Sequence, residues 1–199
     1  HYEQAIAIHR ETGNKRNEGT FLGNLGNLYQ KQGQLEDAIE LYQQAIAIQR
    51  EMGDKHNEGI FLGNLGAAYR AQGKLEQATE LHQQAIAIQR EVGDRHGEGL
   101  FLGHLAILYQ AQHKCEAAVE LYQQALLIHR EIGNKRGEGI DLGNLGETLF
   151  RLHRLNEAEA AFRQALPICD ETIPPAAGAF RACLALLLSQ QGKFDEAHS

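Results

Sequence analysis

The stretch Gly19–Glu58 reads GTFLGNLGNLYQKQGQLEDAIELYQQAIAIQREMGDKHNE. The forty residues after it, Gly59–Glu98, read GIFLGNLGAAYRAQGKLEQATELHQQAIAIQREVGDRHGE and differ from it at about a dozen positions. Two further copies follow at the same spacing, Gly99–Glu138 and a more divergent one from Gly139. A fixed period of this size marks a repeat architecture, in which each unit buries its apolar face on its neighbours. What the chain does is then a question of what a stack of such units can do.

Each unit carries two helical patterns. Phe21, Leu22, Leu25, Leu28 and Tyr29 recur at helical spacing in the first, and Leu35, Ala38, Ile39, Tyr42, Ala45 and Ile46 in the second. Gly33 and Gly73 stand where a first helix stops, and Gly53, Gly93 and Gly133 where a second one does. Asp54, Asp94 and Asn134 follow at once as N-caps. This punctuation predicts first helices near 15–32, 55–72, 95–112 and 135–152, and second helices near 35–52, 75–92, 115–132 and 155–171. An orphan second helix covers 1–12, and a final first helix about 176–191. The connections are so short that neighbouring helices must run antiparallel. Pro167 falls inside the fourth second-helix, where it should kink or end it. Pro174-Pro175 replaces the Gly-Asp turn, and Ala158 is one residue short of a full period from Ala197. These features predict a break in the stacking near 167–175, or else the natural boundary of the array.

The spacing carries a family resemblance. Leu22-x2-Leu25-Gly26-x2-Tyr29, followed by Ala38-x3-Tyr42 and Ala45, resembles the tetratricopeptide pattern. The later copies keep the phase, with Leu62, Leu65, Gly66, Tyr69, Ala78, His82 and Ala85 in one and Leu142, Leu145, Gly146, Leu149, Ala158, Phe162 and Ala165 in another. The chain departs in its period, which is forty residues, with Arg50 and Glu51 in place of the closing Pro. In this it is similar to the longer-repeat branch, which includes Pins-type spindle-orientation adaptors and many bacterial signalling proteins. The resemblance implies an all-α, right-handed α-solenoid of antiparallel helix pairs. The array is a single domain: half-repeat 1–13, repeats 14–53, 54–93, 94–133 and 134–173, and a partial repeat 174–199. It opens and closes inside a repeat, which suggests a piece of a longer protein.

The resemblance also implies that one side of each first helix lines a concave groove. With the Leu-Gly of the motif at positions 7 and 8 of a unit, that side holds positions 2, 5, 6, 9, 12 and 13. Core positions repeat almost unchanged, whereas positions 9, 12 and 13 differ in nearly every unit. Variation on one face is expected if that face reads something non-repetitive, although exposed positions also drift freely. Position 6 carries Asn24, Asn64, His104 and Asn144. An Asn side chain both donates and accepts, so it can bond both groups of a peptide unit. Stacked layers advance by roughly 10 Å, about three residues of extended chain. A ladder at that pitch would hold an extended peptide; the alternative is that each Asn bonds a neighbouring helix. The family's groove asparagines contact ligand backbone, which is what the resemblance implies here. Selectivity would then lie with Asn27, Gln30, Lys31, Arg70, Gln110, Glu147, Phe150 and Arg151. Arg70, Phe150 and Arg151 are candidate anchors, and Glu147 would favour a basic group.

Gly23, Gly63, Gly103 and Gly143 lie inside helices, where glycine costs about 1 kcal/mol against Ala. Something must approach closely there, either the adjacent helix or a ligand backbone. Arg10, Arg50, Arg90 and Arg130 precede each turn, and Glu18, Glu58, Glu98 and Glu138 follow it symmetrically, which predicts structural ion pairs.

Other chemistries find little support. The net charge is −7 with Lys and Arg scattered among acids, which speaks against nucleic acid. No apolar run approaches the roughly 18–20 residues of a membrane span. Cys115, Cys169 and Cys183 form no paired motif, so a reducing, cytoplasmic setting is expected. The histidines lie at scattered phases, GNLGNLY lacks the strand and Lys of a phosphate loop, and no catalytic constellation can be drawn. No metal, cofactor or enzymatic activity is expected. The leading expectation is a protein-interaction scaffold that binds a peptide segment of a partner. One alternative is self-assembly, end to end, through uncapped repeats at 1–12 and 176–199. Another is regulation of a catalytic domain fused outside this segment.

Overall fold

The computed structural model describes residues 1–193, which form helices joined by tight turns. In chain order these are α1 (Tyr2–Glu11), α2 (Lys15–Lys31), α3 (Leu35–Glu51), α4 (Lys55–Ala71), α5 (Leu75–Val92), α6 (Arg95–Ala111), α7 (Cys115–Glu131), α8 (Lys135–Arg151), α9 (Leu155–Thr172) and α10 (Pro174–Gln190). No strand occurs among the described residues. The chain divides into two compact units, one of residues His1–Phe101 and one that starts at Leu102. Ala197 lies outside the described residues.

The helix ends follow from local chemistry. Asn14, Asp54, Asp94 and Asn134 accept a hydrogen bond from the backbone N–H three residues on, at 3.3, 3.2, 3.0 and 3.0 Å. Gly33 and Gly73 close first helices in the left-handed region, at φ 79° and 76°. Their counterparts His113 and His153 adopt the same conformation, at φ 60° and 57°. There the turn geometry prevails over a side-chain penalty of about 1–2 kcal/mol.

Within each unit, successive helices pack against one another. In the first unit Leu22, Leu25, Ala38, Tyr42, Ala45 and Ile46 are buried between α2, α3 and α4; Leu62, Leu65, Ala78 and Ala85 repeat the pattern. In the second unit Leu142, Leu145, Leu149, Ala158, Phe162 and Ala165 form the corresponding core. The layers lock by a knob at position 3. An ideal Cβ on Gly23 would lie 2.1 Å from the Phe61 ring, on Gly63 2.1 Å from Phe101, and on Gly143 2.0 Å from Phe180. The close approach at these glycines is therefore made by the next first helix, not by a ligand backbone.

The expected ion pairs form. Arg10 Nε donates to Glu18 Oε1 at 2.7 Å, Arg50 to Glu58 at 2.6 Å, Arg90 to Glu98 at 2.6 Å and Arg130 to Glu138 at 2.8 Å. Each glutamate is buried while its arginine reaches out to solvent.

The C-terminal expectation needs correction. α9 runs through Pro167 to Thr172 and does not end at the proline. Pro167 is exposed, while Phe162, Ala165 and Cys169 on the other face are buried, so packing carries the helix past the missing hydrogen bond. Pro174 and Pro175 do not form a turn. They occupy the first turn of α10, where a proline loses no helical bond. A single residue, Ile173 (φ −151°, ψ 70°), connects the two helices. Phe180 still caps Gly143 and lies 6.3 Å from Phe162 between ring centroids, so the layer contact survives the shortened link.

Candidate peptide-binding strips

The first-helix side singled out by the sequence is taken one unit at a time. In the first unit, α2 and α4 present Asn24 and Asn64, both half-buried. Asn64 Nδ2 donates to Asn27 Oδ1 of the preceding layer at 3.0 Å. The Tyr42 hydroxyl, reaching across from α3, sits 2.7 Å from both Asn27 Oδ1 and Gln30 Oε1. A hydroxyl carries one proton, so it donates to one of these oxygens at a time. Burial pushes the Tyr42 phenol well above its ordinary value. Asn27, Gln30 and Asn64 thus come together in one network, which supports the core as well as facing outward. Asn24 has no side-chain hydrogen bond among the described residues. Lys31 and Arg70 are exposed and stand outside the network.

The network does not recur. Ala67 and His82 take the places of Asn27 and Tyr42 in the next repeat, and Ile107 and Tyr122 in the one after.

In the second unit, His104, Gln110, Asn144, Glu147 and Phe150 are half-buried and Arg151 is exposed. Arg151 donates to Glu147 Oε1 at 2.8 Å, one turn apart on α8. These two therefore arrive as a neutralised pair, not as separate anchors. Phe150 packs on the core cluster, which leaves part of its ring outside. In the register set by Phe180, position 6 of α10 is Cys183 and position 9 is Leu186, which is 55% exposed. Burial, and then the Glu147 carboxylate, push the Cys183 thiol up, so it is a poor nucleophile.

Two features escaped the sequence reading. The Tyr42 network depends on side chains from two helices that no single-helix projection brings together. Asp141 occupies position 3 of its repeat, where Phe21, Phe61 and Phe101 stand in the others, and it is buried. Aligning the repeats position by position would have exposed it. Among the described residues, no three His, Cys, Asp or Glu side chains are grouped as metal ligands, and no helix is long and apolar enough to cross a membrane.

Comparison with known proteins places the chain in a class. The tetratricopeptide repeat family model matches residues 1–51, 18–91, 57–128 and 98–171, and the chain belongs to that family. Among solved structures it is similar to BtubC (BKLC) from P. vanneervenii, with a TM-score of 0.87 and 19% identity over 99% of this chain and 84% of that one. It is also similar to a putative kinesin light chain from Podosopora anserina with nearly identical TPR-like repeats, with a TM-score of 0.72 and 26% identity over 89% and 88% of the two chains. A Rap protein complexed with Competence and Sporulation Factor matches with a TM-score of 0.74 and 20% identity over 92% of this chain and 51% of its own. No curated protein matches.

Proposed function

We propose that this chain is a protein-interaction scaffold whose first helices bind an extended peptide segment of a partner and which performs no chemistry itself. The observation that carries this reading is position 6. A half-buried polar side chain recurs there on each first helix from α2 to α8. Asn24 and Asn144 have no side-chain hydrogen bond within the described residues, so both amide groups remain for a peptide backbone. Asn64 donates inward and keeps its carbonyl oxygen for a ligand N–H. Lys31 and Arg70 then supply contacts to partner side chains in the first unit, and Phe150 with the Glu147–Arg151 pair in the second. Membership of the tetratricopeptide family supports the general reading, and a solved relative in complex with a factor is consistent with it.

The test is Asn24→Ala with Asn144→Ala, assayed by calorimetry against hits from a peptide array. Affinity is expected to fall at least tenfold, about 1.4 kcal/mol, with helicity by circular dichroism unchanged. Undiminished affinity would sink the ladder. A second reading, end-to-end self-association, is favoured by Ile8 on α1 and Leu186 on α10, which are 57% and 55% exposed. It requires a molecular mass by sedimentation that rises with concentration.

A further inference from the structure

The layer between α7 and α8 departs from its siblings at two facing positions. Asp141 on α8 stands where Phe61 and Phe101 stand, and His129 on α7 stands where Gln49 and Gln89 stand. Both are buried, at 5% and 3% exposure. Asp141 covers Gly103 of α6, and its Oδ1 would lie 2.8 Å from a Cβ added there. His129 Nε2 lies 3.4 Å from Asp141 Oδ2.

The histidine's tautomer follows from its other neighbour. The Gly137 N–H donates to Asn134 Oδ1 at 3.0 Å, which fixes the Asn134 amide as the α8 cap. Its Nδ2 then faces His129 Nδ1 at 3.2 Å. An amide nitrogen only donates, so Nδ1 accepts and the ring proton resides on Nε2. The imidazole thus offers Asp141 an N–H and no positive charge. Even that contact is poorly aligned, and Asp141 Oδ2 makes no hydrogen bond. The Tyr122 hydroxyl, also from α7, is buried beside it with no hydrogen-bond partner among the described residues.

The neighbouring carboxylates of α8 are already paired with cations. On α8, Glu138 lies one turn before Asp141 and is held by Arg130 and Lys135, and Glu147 is held by Arg151. On α6, His104 neighbours Gly103 and is half-buried. A buried carboxylate without a compensating cation favours its neutral form. Burial accordingly pushes the Asp141 carboxyl up to about 7.

We propose that the buried contact of Asp141 with His129 is a pH-responsive latch between α7 and α8, which holds when Asp141 is protonated and loosens when it carries charge. α8 also bears Asn144, Glu147 and Arg151, so the latch sets how firmly that strip is held. This last consequence rests on the peptide-binding reading, but the latch does not.

A carboxyl carbon NMR titration of the whole chain reads Asp141 directly. A midpoint near neutrality is expected, and one in the ordinary carboxylate range below about 5 overturns the latch. The melting temperature is expected to fall as pH rises from about 5 to about 8. Asp141→Asn keeps the shape without the charge and is expected to flatten that fall, whereas His129→Gln is expected to preserve it. An unchanged slope in Asp141→Asn, or a lost slope in His129→Gln, overturns the assignment. If Asp141→Asn does not fold, the titration of the natural chain still decides. None of these readouts uses a peptide, so failure of the binding reading leaves them standing.

Discussion

A methyl group added at Gly63 would sit 2.1 Å from a carbon of the Phe101 ring, whereas one added at Gly178 would meet nothing within 4 Å. Both glycines lie inside helices, where Ala is intrinsically better by about 1 kcal/mol. The two substitutions should therefore have opposite signs. Gly63→Ala is expected to destabilise by about 1–3 kcal/mol through overpacking. Gly178→Ala is expected to stabilise by up to about 1 kcal/mol. Urea denaturation monitored by circular dichroism checks both. That a close approach existed at Gly63 was legible in the repeat itself, because glycine is costly there and recurs. The roles of Asn27 and Gln30 were not. Helical phase places them on the outer strip, but their partner Tyr42 comes from another helix, and only the folded pair shows that its hydroxyl reaches them.

At the scale of elements, the boundaries were the most legible part. Caps and stop residues act within one turn, so α2, α4, α6 and α8 begin where Asn and Asp cap them, and α2, α3, α4, α5 and α7 end just before a left-handed Gly. Pro167 was misjudged because its cost is local while the support for α9 is not. A proline in a helix interior costs about 3 kcal/mol, which the buried face of Phe162, Ala165 and Cys169 offsets. Pro167 is exposed, so replacing it removes the penalty without opening a cavity. Pro167→Ala is expected to raise stability by up to about 3 kcal/mol, measured as a higher midpoint in thermal or urea unfolding.

At the scale of the molecule, the second unit holds two carboxyls that titrate in opposite directions. Burial pushes Glu138 up, but hydrogen bonds from Lys135 and Arg130 outweigh it and hold the group below its ordinary value. Its contribution is present above the unfolded value of about 4.5 and is lost as pH falls through the folded one. Asp141 behaves oppositely, since its folded value is about 7. Its contribution is full below the unfolded value and is lost as pH rises to neutrality. Stability should therefore be greatest in mildly acidic solution. Arg130→Ala is expected to flatten the loss on the acid side, because it removes part of what holds Glu138 low, and to leave the neutral side unchanged, as checked by melting curves across pH.

The knob-and-glycine contacts carry a hazard as well as a benefit. Phe61 on Gly23 and Phe101 on Gly63 are nearly interchangeable, so a helix pair displaced by one period meets almost the same surface it was meant to meet. Repeat chains can nucleate anywhere along their length, and such slips would be poorly rejected where neighbours are alike. Asp141 on Gly103 breaks the degeneracy, because a small buried carboxyl stands where the other layers set an aromatic ring on their glycine. The one-residue link at Ile173 breaks it again, since α10 cannot accept the spacing of any earlier layer. The irregular layers thus act as address marks, telling an otherwise self-similar chain which of its repeats is which.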